Sequence, residues 1–414
     1  MKVNYIQAKD FLCGLGYDVK PSLERINWLL RELDVSLAAK VVHVAGTNGK
    51  GSVCSFIHAG LSKQKIKAGV YTSPPVLDYL ERFKTGDKTI TEGEFTKLFN
   101  EIRGCLDNLP AALGAPSCFE FETALALLWF MRQKVEVLVL EAGLGGRWDA
   151  TNVFPKTISV ITNVGVDHAN YLGSTLEDIA REKAGIIKHE ATCFTCAQDP
   201  GLAVIRQAAS ERNARLLEYG VDFESRLIDS DFTGSHIHLE TVEGEHDGLY
   251  LRQLGLSQHL NACVAACVLE WMGVSCQAIW GGFSEVTLPC RFEVICEDPH
   301  LVLDGAHNLD AIQNLLSDVK HYFSGKPEVI YGCFNDKPYD KIVPLLEATS
   351  SKLTLTSVDH RRSVSAERLA EYARNPHVVP NLSDALESPP KKDTLITGSL
   401  YLTGQAHNLL RNKR

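Results

Sequence analysis

The stretch Gly46-Thr47-Asn48-Gly49-Lys50-Gly51-Ser52 has the residue types for phosphate chemistry. It follows the apolar run Val41 to Ala45 and precedes a helix-like segment that reaches Lys63. A strand, a glycine loop and a helix start make a phosphate cradle. Glycines admit unusual backbone angles, successive N–H groups point inward at the helix N-terminus, and Lys50 adds a point charge near the β- and γ-phosphates. The stretch departs from the pattern G-x-x-x-x-G-K-[ST]: Val44 stands at the first glycine, and Gly51 separates Lys50 from Ser52.

Three further residues lie at predicted strand ends, where open parallel sheets bind ligands. Glu141 ends the strand Val135 to Leu140, His168 follows Ile158 to Val164, and Ser73 follows Ala68 to Thr72. An isolated buried carboxylate is costly, so a cation is the natural partner of Glu141. Hard oxygens with one imidazole suit Mg²⁺ carried in with ATP phosphates. Asp304 ends Leu301 to Leu303, a further strand, and Arg291 lies just past Pro289, where domain closure can bring its guanidinium onto a γ-phosphate.

These residues need a scaffold, and the pattern of buried runs and helical periods supplies one. Runs at 41–45, 68–72, 135–140 and 158–164 alternate with helix-like segments, of which Phe119 to Arg132 is the clearest. That alternation predicts a parallel sheet covered by helices on both faces. A polar region from Glu218 to Leu251, with Ile237, Leu239 and Val242 alternating, predicts short antiparallel strands, and Asn261 to Met272 predicts a packed helix. Past a hinge at Pro289 the alternation restarts, with a helix over Leu309 to Tyr322 and strands near 329–331, 353–356 and 395–397. This is a second, smaller α/β domain.

Composition narrows the function classes. The 414 residues are 45% hydrophobic and 22% charged, which suits a globular chain of two or three domains. With 42 basic against 51 acidic residues the net charge is −9, which argues against a general binder of nucleic acid or anionic membrane. The apolar stretch Ala124 to Met131 is too short to span a bilayer, and Met1 to Gln7 lacks the apolar core of a signal peptide, so a cytoplasmic setting is expected. The 12 cysteines are scattered. Cys193-Phe194-Thr195-Cys196 has CxxC spacing but sits in a strand-like run, where its two thiols point to opposite faces. A monomer is expected.

The sequence resembles the folylpolyglutamate synthase and dihydrofolate synthase branch of the Mur ligase superfamily over nearly its whole length. Gly46 to Ser52 is similar to the family's nucleotide loop, and Tyr71-Thr72-Ser73-Pro74 with Glu81-Arg82 to its omega loop. Leu140 to Asn152, Asp167-His168, Arg181 to Gly185, Leu288 to Phe292 and Asp304-Gly305-Ala306-His307-Asn308 follow in the family's order. The resemblance implies a P-loop parallel-sheet ATP-binding domain over residues 1–288 and a C-terminal Rossmann-like α/β domain over 289–414.

It also implies roles. Thr47, Asn48, Gly49, Lys50, Gly51, Ser52, Asn261, Arg291 and Asp304 match nucleotide-contacting positions. Ser73, Glu141 and His168 match positions that hold two magnesium ions, and Lys183 matches a carbamylated lysine. K⁺ is a further cofactor to consider. The acid substrate maps to Pro21-Ser22-Leu23-Glu24, to Ser117-Cys118-Phe119-Glu120 and to Trp148-Asp149-Ala150. There, Phe119 and Trp148 can wall a flat pterin while carboxylates bind its amino-pyrimidine edge. His307 is either catalytic or a turn residue. Pro21-Ser22, Pro75 and Trp148 depart from the family's usual Leu-Gly, His and Leu.

The activity so implied is ATP-dependent addition of L-glutamate to dihydropteroate, to the γ-carboxyl of folylpolyglutamate, or to both, through an acyl phosphate. The catalytic set is Lys50, Glu141, His168, Lys183 and Arg291. The alternatives are another Mur-type acid–amino-acid ligase, a P-loop kinase or ATPase, and a nucleotide-binding module without turnover. Only about 40 residues precede the glycine loop, too few for the extra domain of peptidoglycan-type ligases.

Overall fold

A computed structural model describes residues 3–16 and 21–411; Met1 and Lys2 of the N-terminal segment read above lie outside them. The first sheet has eight strands: β1 (Lys40–Ala45), β2 (Ala68–Tyr71), β3 (Phe83–Thr85), β4 (Lys88–Thr89), β5 (Val137–Glu141), β6 (Ile158–Ile161), β7 (Thr192–Thr195) and β8 (Arg215–Glu218). Their order is β4-β3-β2-β5-β1-β6-β7-β8. The six from β2 to β8 are parallel, and β3 and β4 add an antiparallel edge that the sequence pattern did not predict.

Alternation along the strands sorts side chains between two cores. On β5, Val137 and Val139 join Val53, Phe56 and Ile57 of the helix Lys50–Lys63, together with Leu269 of the helix Gln258–Trp271. Leu138 and Leu140 join Phe121 and Leu125 of the helix Cys118–Gln133 on the other face. The same parity separates the CxxC pair. Cys193 packs with Ile186 and Ile205, while Cys196 packs against the opposite core. β6 stops at Ile161 rather than Val164 because Thr162 and Asn163 turn away to hold the glycine loop.

Strands β9 (Glu224–Asp231), β10 (Gly234–Glu240) and β11 (Glu245–Leu251) form the expected antiparallel sheet. Residues 288–292 then lead into a six-stranded sheet: β12 (Glu293–Glu297), β13 (His300–Asp304), β14 (Glu328–Tyr331), β15 (Lys352–Ser357), β16 (His377–Asn381) and β17 (Thr394–Thr397), ordered β12-β13-β17-β14-β15-β16. All but β12 run parallel. The helix Leu309–Tyr322 forms where periodicity predicts it, capped by Asn308, whose side chain accepts the Ala311 N–H. Among the described residues, no helix is long and apolar enough to cross a membrane.

Candidate active site

The glycine loop joins β1 to the helix Lys50–Lys63, and two of its glycines are there for space. A Cβ on Gly46 would lie 1.8 Å from Thr162 Oγ1; one on Gly49, whose φ is +84°, would lie 2.4 Å from Asn261 Oδ1. The outer side of the loop is pinned. The Thr47 and Asn48 N–H groups both donate to Asn163 Oδ1, at 3.1 and 2.9 Å, and Thr162 Oγ1 donates to the Asn48 carbonyl at 2.6 Å. These two N–H groups therefore do not point inward as the sequence reading had it. The cradle is left to residues 49–52 at the helix start, whose N–H groups have no partner one turn back. Lys50 Nζ donates to the Gly46 and Thr47 carbonyls at 3.0 and 3.1 Å.

Ser73, Glu141 and His168 converge on this loop from the ends of β2, β5 and the segment after β6, lining one cavity with Lys50, Lys183 and Arg291. Glu141 is 5% exposed, and its Oε2 accepts the Ser73 N–H at 3.1 Å. Burial lifts its carboxyl above the usual carboxylate value, although Lys50, the Ser73 N–H, Arg291 and Arg82 pull the other way. His168 has φ +52°, and burial lowers its imidazole to about 4, so the ring is neutral and has a lone pair to offer. A carboxylate, a hydroxyl and a neutral imidazole at the edge of a phosphate cradle fit a magnesium ion. Lys183 is 3% exposed; burial, with Lys50 adding to it and Asp167 opposing, lowers its ammonium to about 7.

The second lobe completes the cavity with Arg291, His307 and Leu400. Arg291 sits between Cys290 and Phe292, both in the left-handed region at φ +56° and +43°. Non-glycine residues held there mark an over-determined segment. Gly305 N–H donates to the Cys290 carbonyl at 2.8 Å and Phe292 N–H to Asp304 Oδ2 at 2.8 Å, so Asp304 holds the backbone that presents Arg291. Asp167, in the first lobe, gathers three groups from the second: Lys337 Nζ at 2.7 Å, Asn308 Nδ2 at 3.2 Å and His307 Nε2 at 3.5 Å. Burial would raise its carboxyl, but the His307 hydrogen bond and the Lys337 ammonium hold it well below the usual range.

A second cleft opens from the other side of the same loop. It shares Asn48, Gly49 and Arg291 with the first and runs past Asn261 and Asp304 to Asp318. The glycine loop thus borders both a cavity lined with charged groups and a cleft lined by polar and apolar side chains.

Residues 44–269 match the Mur ligase middle domain, and residues 290–398 match the Mur ligase glutamate ligase domain. The chain is 33% identical to the dihydrofolate synthase/folylpolyglutamate synthase of Bacillus subtilis, over 98% of this chain and 99% of that one. The chain belongs to this family of Mur ligases. Its fold is correspondingly similar to Mycobacterium tuberculosis folylpolyglutamate synthase complexed with ADP and AMPPCP, with TM-score 0.90 and 30% identity over 98% of both chains. It is also similar to E. coli FolC in complex with DHPP and ADP, with TM-score 0.91 and 28% identity over 100% of this chain and 99% of that one.

In this Mur ligase chain, the positions expected to hold the acid substrate divide. Phe119 stacks on Tyr71 at 5.8 Å and touches Gly143, so it forms a wall beside Glu141. Trp148 is 37% exposed with Arg147 over its ring, and Ala150 is buried. Pro21 and Glu24 are exposed, Ser22 and Leu23 half-buried, and Cys118 buried. Glu120 and Asp149, the carboxylates expected at a pterin edge, both have partners within the fold. Glu120 pairs with Arg25 at 2.9 Å and closes a capping box with Ser117. Asp149 accepts from the Leu144 and Thr151 N–H groups and from the Thr151 hydroxyl. The sequence held one signal for this, since Ser117-x-x-Glu120 before an apolar run is a capping box.

The sequence reading missed Asn163, Asp167 as an anchor between lobes, and Lys337. A separate cluster of His246, Glu270 and Cys276 has metal-ligand spacing. There, however, His246 Nδ1 accepts the Trp280 Nε1–H at 2.7 Å, so Nε2 carries the ring proton toward Glu270 at 2.7 Å. That imidazole has no lone pair left for a metal.

Proposed function

We propose that this ATP-dependent acid–amino-acid ligase joins the amino group of L-glutamate to the carboxylate of dihydropteroate, to the γ-carboxyl of folylpolyglutamate, or to both. The observation that carries this reading is the convergence of Lys50, Ser73, Glu141, His168, Lys183 and Arg291, from both lobes, on one cavity beside the glycine loop. Carboxylates resist amines because hydroxide is a poor leaving group. Transfer of the γ-phosphoryl group of ATP to a carboxylate oxygen forms an acyl phosphate and releases ADP. The neutral amine of glutamate then attacks the acyl carbon, the C–O bond to phosphate breaks, and the amine proton leaves.

The N–H groups of residues 49–52 bind the phosphates, and Lys50 and Arg291 offset charge on the group in transfer. Magnesium held by Ser73, Glu141 and His168 supplies further charge neutralisation when bound, with two ions as the working number. Lys183, lowered to about 7, is in good part unprotonated at neutral pH, and that form has a lone pair with which to attack carbon dioxide, releasing a proton and leaving a carbamate anion in the cavity. The contacts of Asp167 with Lys337, Asn308 and His307 hold the lobes closed, which excludes water from the acyl phosphate. A cytoplasmic monomer with domains at residues 1–288 and 289–414 completes the reading.

The test is phosphate release with ATP, Mg²⁺ and glutamate, offering dihydropteroate and tetrahydrofolate separately. Glutamate-dependent release with either acid supports the reading and says which activity is present. Release that is indifferent to glutamate points to an ATPase, and ATP consumed without glutamate and without phosphate release points to a kinase.

A further inference from the structure

The cleft on the far side of the glycine loop has an ordered sequence of polar groups. Gly49 abuts Asn261, whose Nδ2 donates to Gln258 Oε1 at 3.0 Å. Gln258 abuts Gly255: a Cβ there would lie 3.5 Å from Gln258 Cγ and 3.8 Å from Asp318 Oδ2. From the phosphate end outward the order is therefore Gly49, Asn261, Gln258, Gly255 and Asp318. Leu254, Phe292, Ala306, Ala311 and Leu315 give the cleft apolar surface, alongside the polar Ser257 and Asn314. That arrangement suits a flat heteroaromatic base with apolar faces and a polar edge.

The two acids of the cleft differ. Asp304 already accepts two backbone N–H groups, from Phe292 and Ala306, each at 2.8 Å, and it carries Arg291 beside it. Asp318, on the helix Leu309–Tyr322, is 7% exposed and accepts the Leu256 N–H through Oδ1 at 2.7 Å. Its second oxygen remains for an occupant of the cleft. Burial pushes the Asp318 carboxyl up to about 7, so a donor that reaches it stabilises the anion.

Resting on the reading that ATP phosphates occupy the glycine loop, we infer that Asp318 determines base specificity, accepting a hydrogen bond from the exocyclic 6-amino group of adenine at the outer end of the cleft. A carboxylate there favours an amino edge and disfavours a 6-oxo edge, whose oxygen faces it without a proton between. A hydrogen bond to a charged partner in a desolvated cleft separates the two bases by roughly ten- to a hundredfold.

The test compares ATP with purine riboside triphosphate, which carries hydrogen in place of the 6-amino group, on the full chain. Wild type, Asp318→Ala and Asp318→Asn are assayed for ligase kcat/KM, and their ADP and purine riboside diphosphate affinities are measured by titration. Asp318→Asn keeps an acceptor for the Leu256 N–H and guards against a variant that fails to fold. Wild type is expected to favour ATP by roughly ten- to a hundredfold, mostly through KM, and both variants to bring that ratio toward one. A wild type that does not distinguish the nucleotides, or variants that lose both equally while keeping the ratio, overturn the assignment and leave the ligase reading standing. A wild type that binds neither nucleotide removes both.

Discussion

Asn48 and Asn308 exchange two hydrogen bonds across the boundary between the lobes. Asn308 Nδ2 donates to Asn48 Oδ1 at 3.0 Å, and Asn48 Nδ2 donates back to Asn308 Oδ1 at 3.3 Å. One partner belongs to the phosphate loop, and the other caps the first helix after β13. Asn308→Ser keeps a capping hydroxyl but is too short to reach Asn48. Its stability is expected to fall by about 1–3 kcal/mol by thermal melting, because Asn48 and Asp167 each lose a partner, while kcat falls at least tenfold. Activity near normal would remove the pair from the closed state.

Glu141→Gln keeps an acceptor for the Ser73 N–H and removes a buried charge. Turnover is expected to fall roughly a hundredfold or more, with a melting temperature equal to or above that of wild type. A variant that stays active at low magnesium would take Glu141 out of the cation site.

Gly49→Ala places a Cβ against Asn261 Oδ1 and forces alanine to φ +84°. Strain of about 1–3 kcal/mol is expected, read as weakened ADP binding by titration. Unchanged affinity would mean that the loop adjusts freely and does not set the nucleotide.

Lys183 links folding to pH. Its folded value of about 7 lies below the ordinary 10.5, so the unfolded chain holds the extra proton between those values. Stability is therefore lost as pH falls from 10.5 toward 7, and the full penalty applies below 7. In buffer free of carbon dioxide, Lys183→Met is expected to be more stable than wild type by a few kcal/mol below pH 7, with the gap closing toward pH 10. With ¹³C-bicarbonate, wild type is expected to show a carbamate carbon resonance that Lys183→Met lacks. Equal pH profiles and no such resonance would leave Lys183 an ordinary buried amine.

Much of the scaffold can be read from the sequence because buried parallel strands are short apolar runs, and the residues that end them, Glu141 and Asp304, stand out as carboxylates in apolar surroundings. The glycine loop is legible for the same local reason. Asp167 and Lys337 are not: they are 170 residues apart, and neither has a sequence neighbour that announces an ion pair. Asn163 was read as part of a strand because only the folded loop reveals what its side chain accepts. The partner of Glu120 is hidden in the same way: Arg25 lies 95 residues earlier, and only the fold brings the two together.

The central claim is that an oxygen of the acid substrate attacks the γ-phosphorus before glutamate enters. Dihydropteroate or folylpolyglutamate labelled with ¹⁸O in the reacting carboxylate tests it most directly, by mass analysis of the phosphate released during glutamate addition. One ¹⁸O atom per phosphate is the expected result. Unlabelled phosphate formed alongside the glutamylated product would contradict the account.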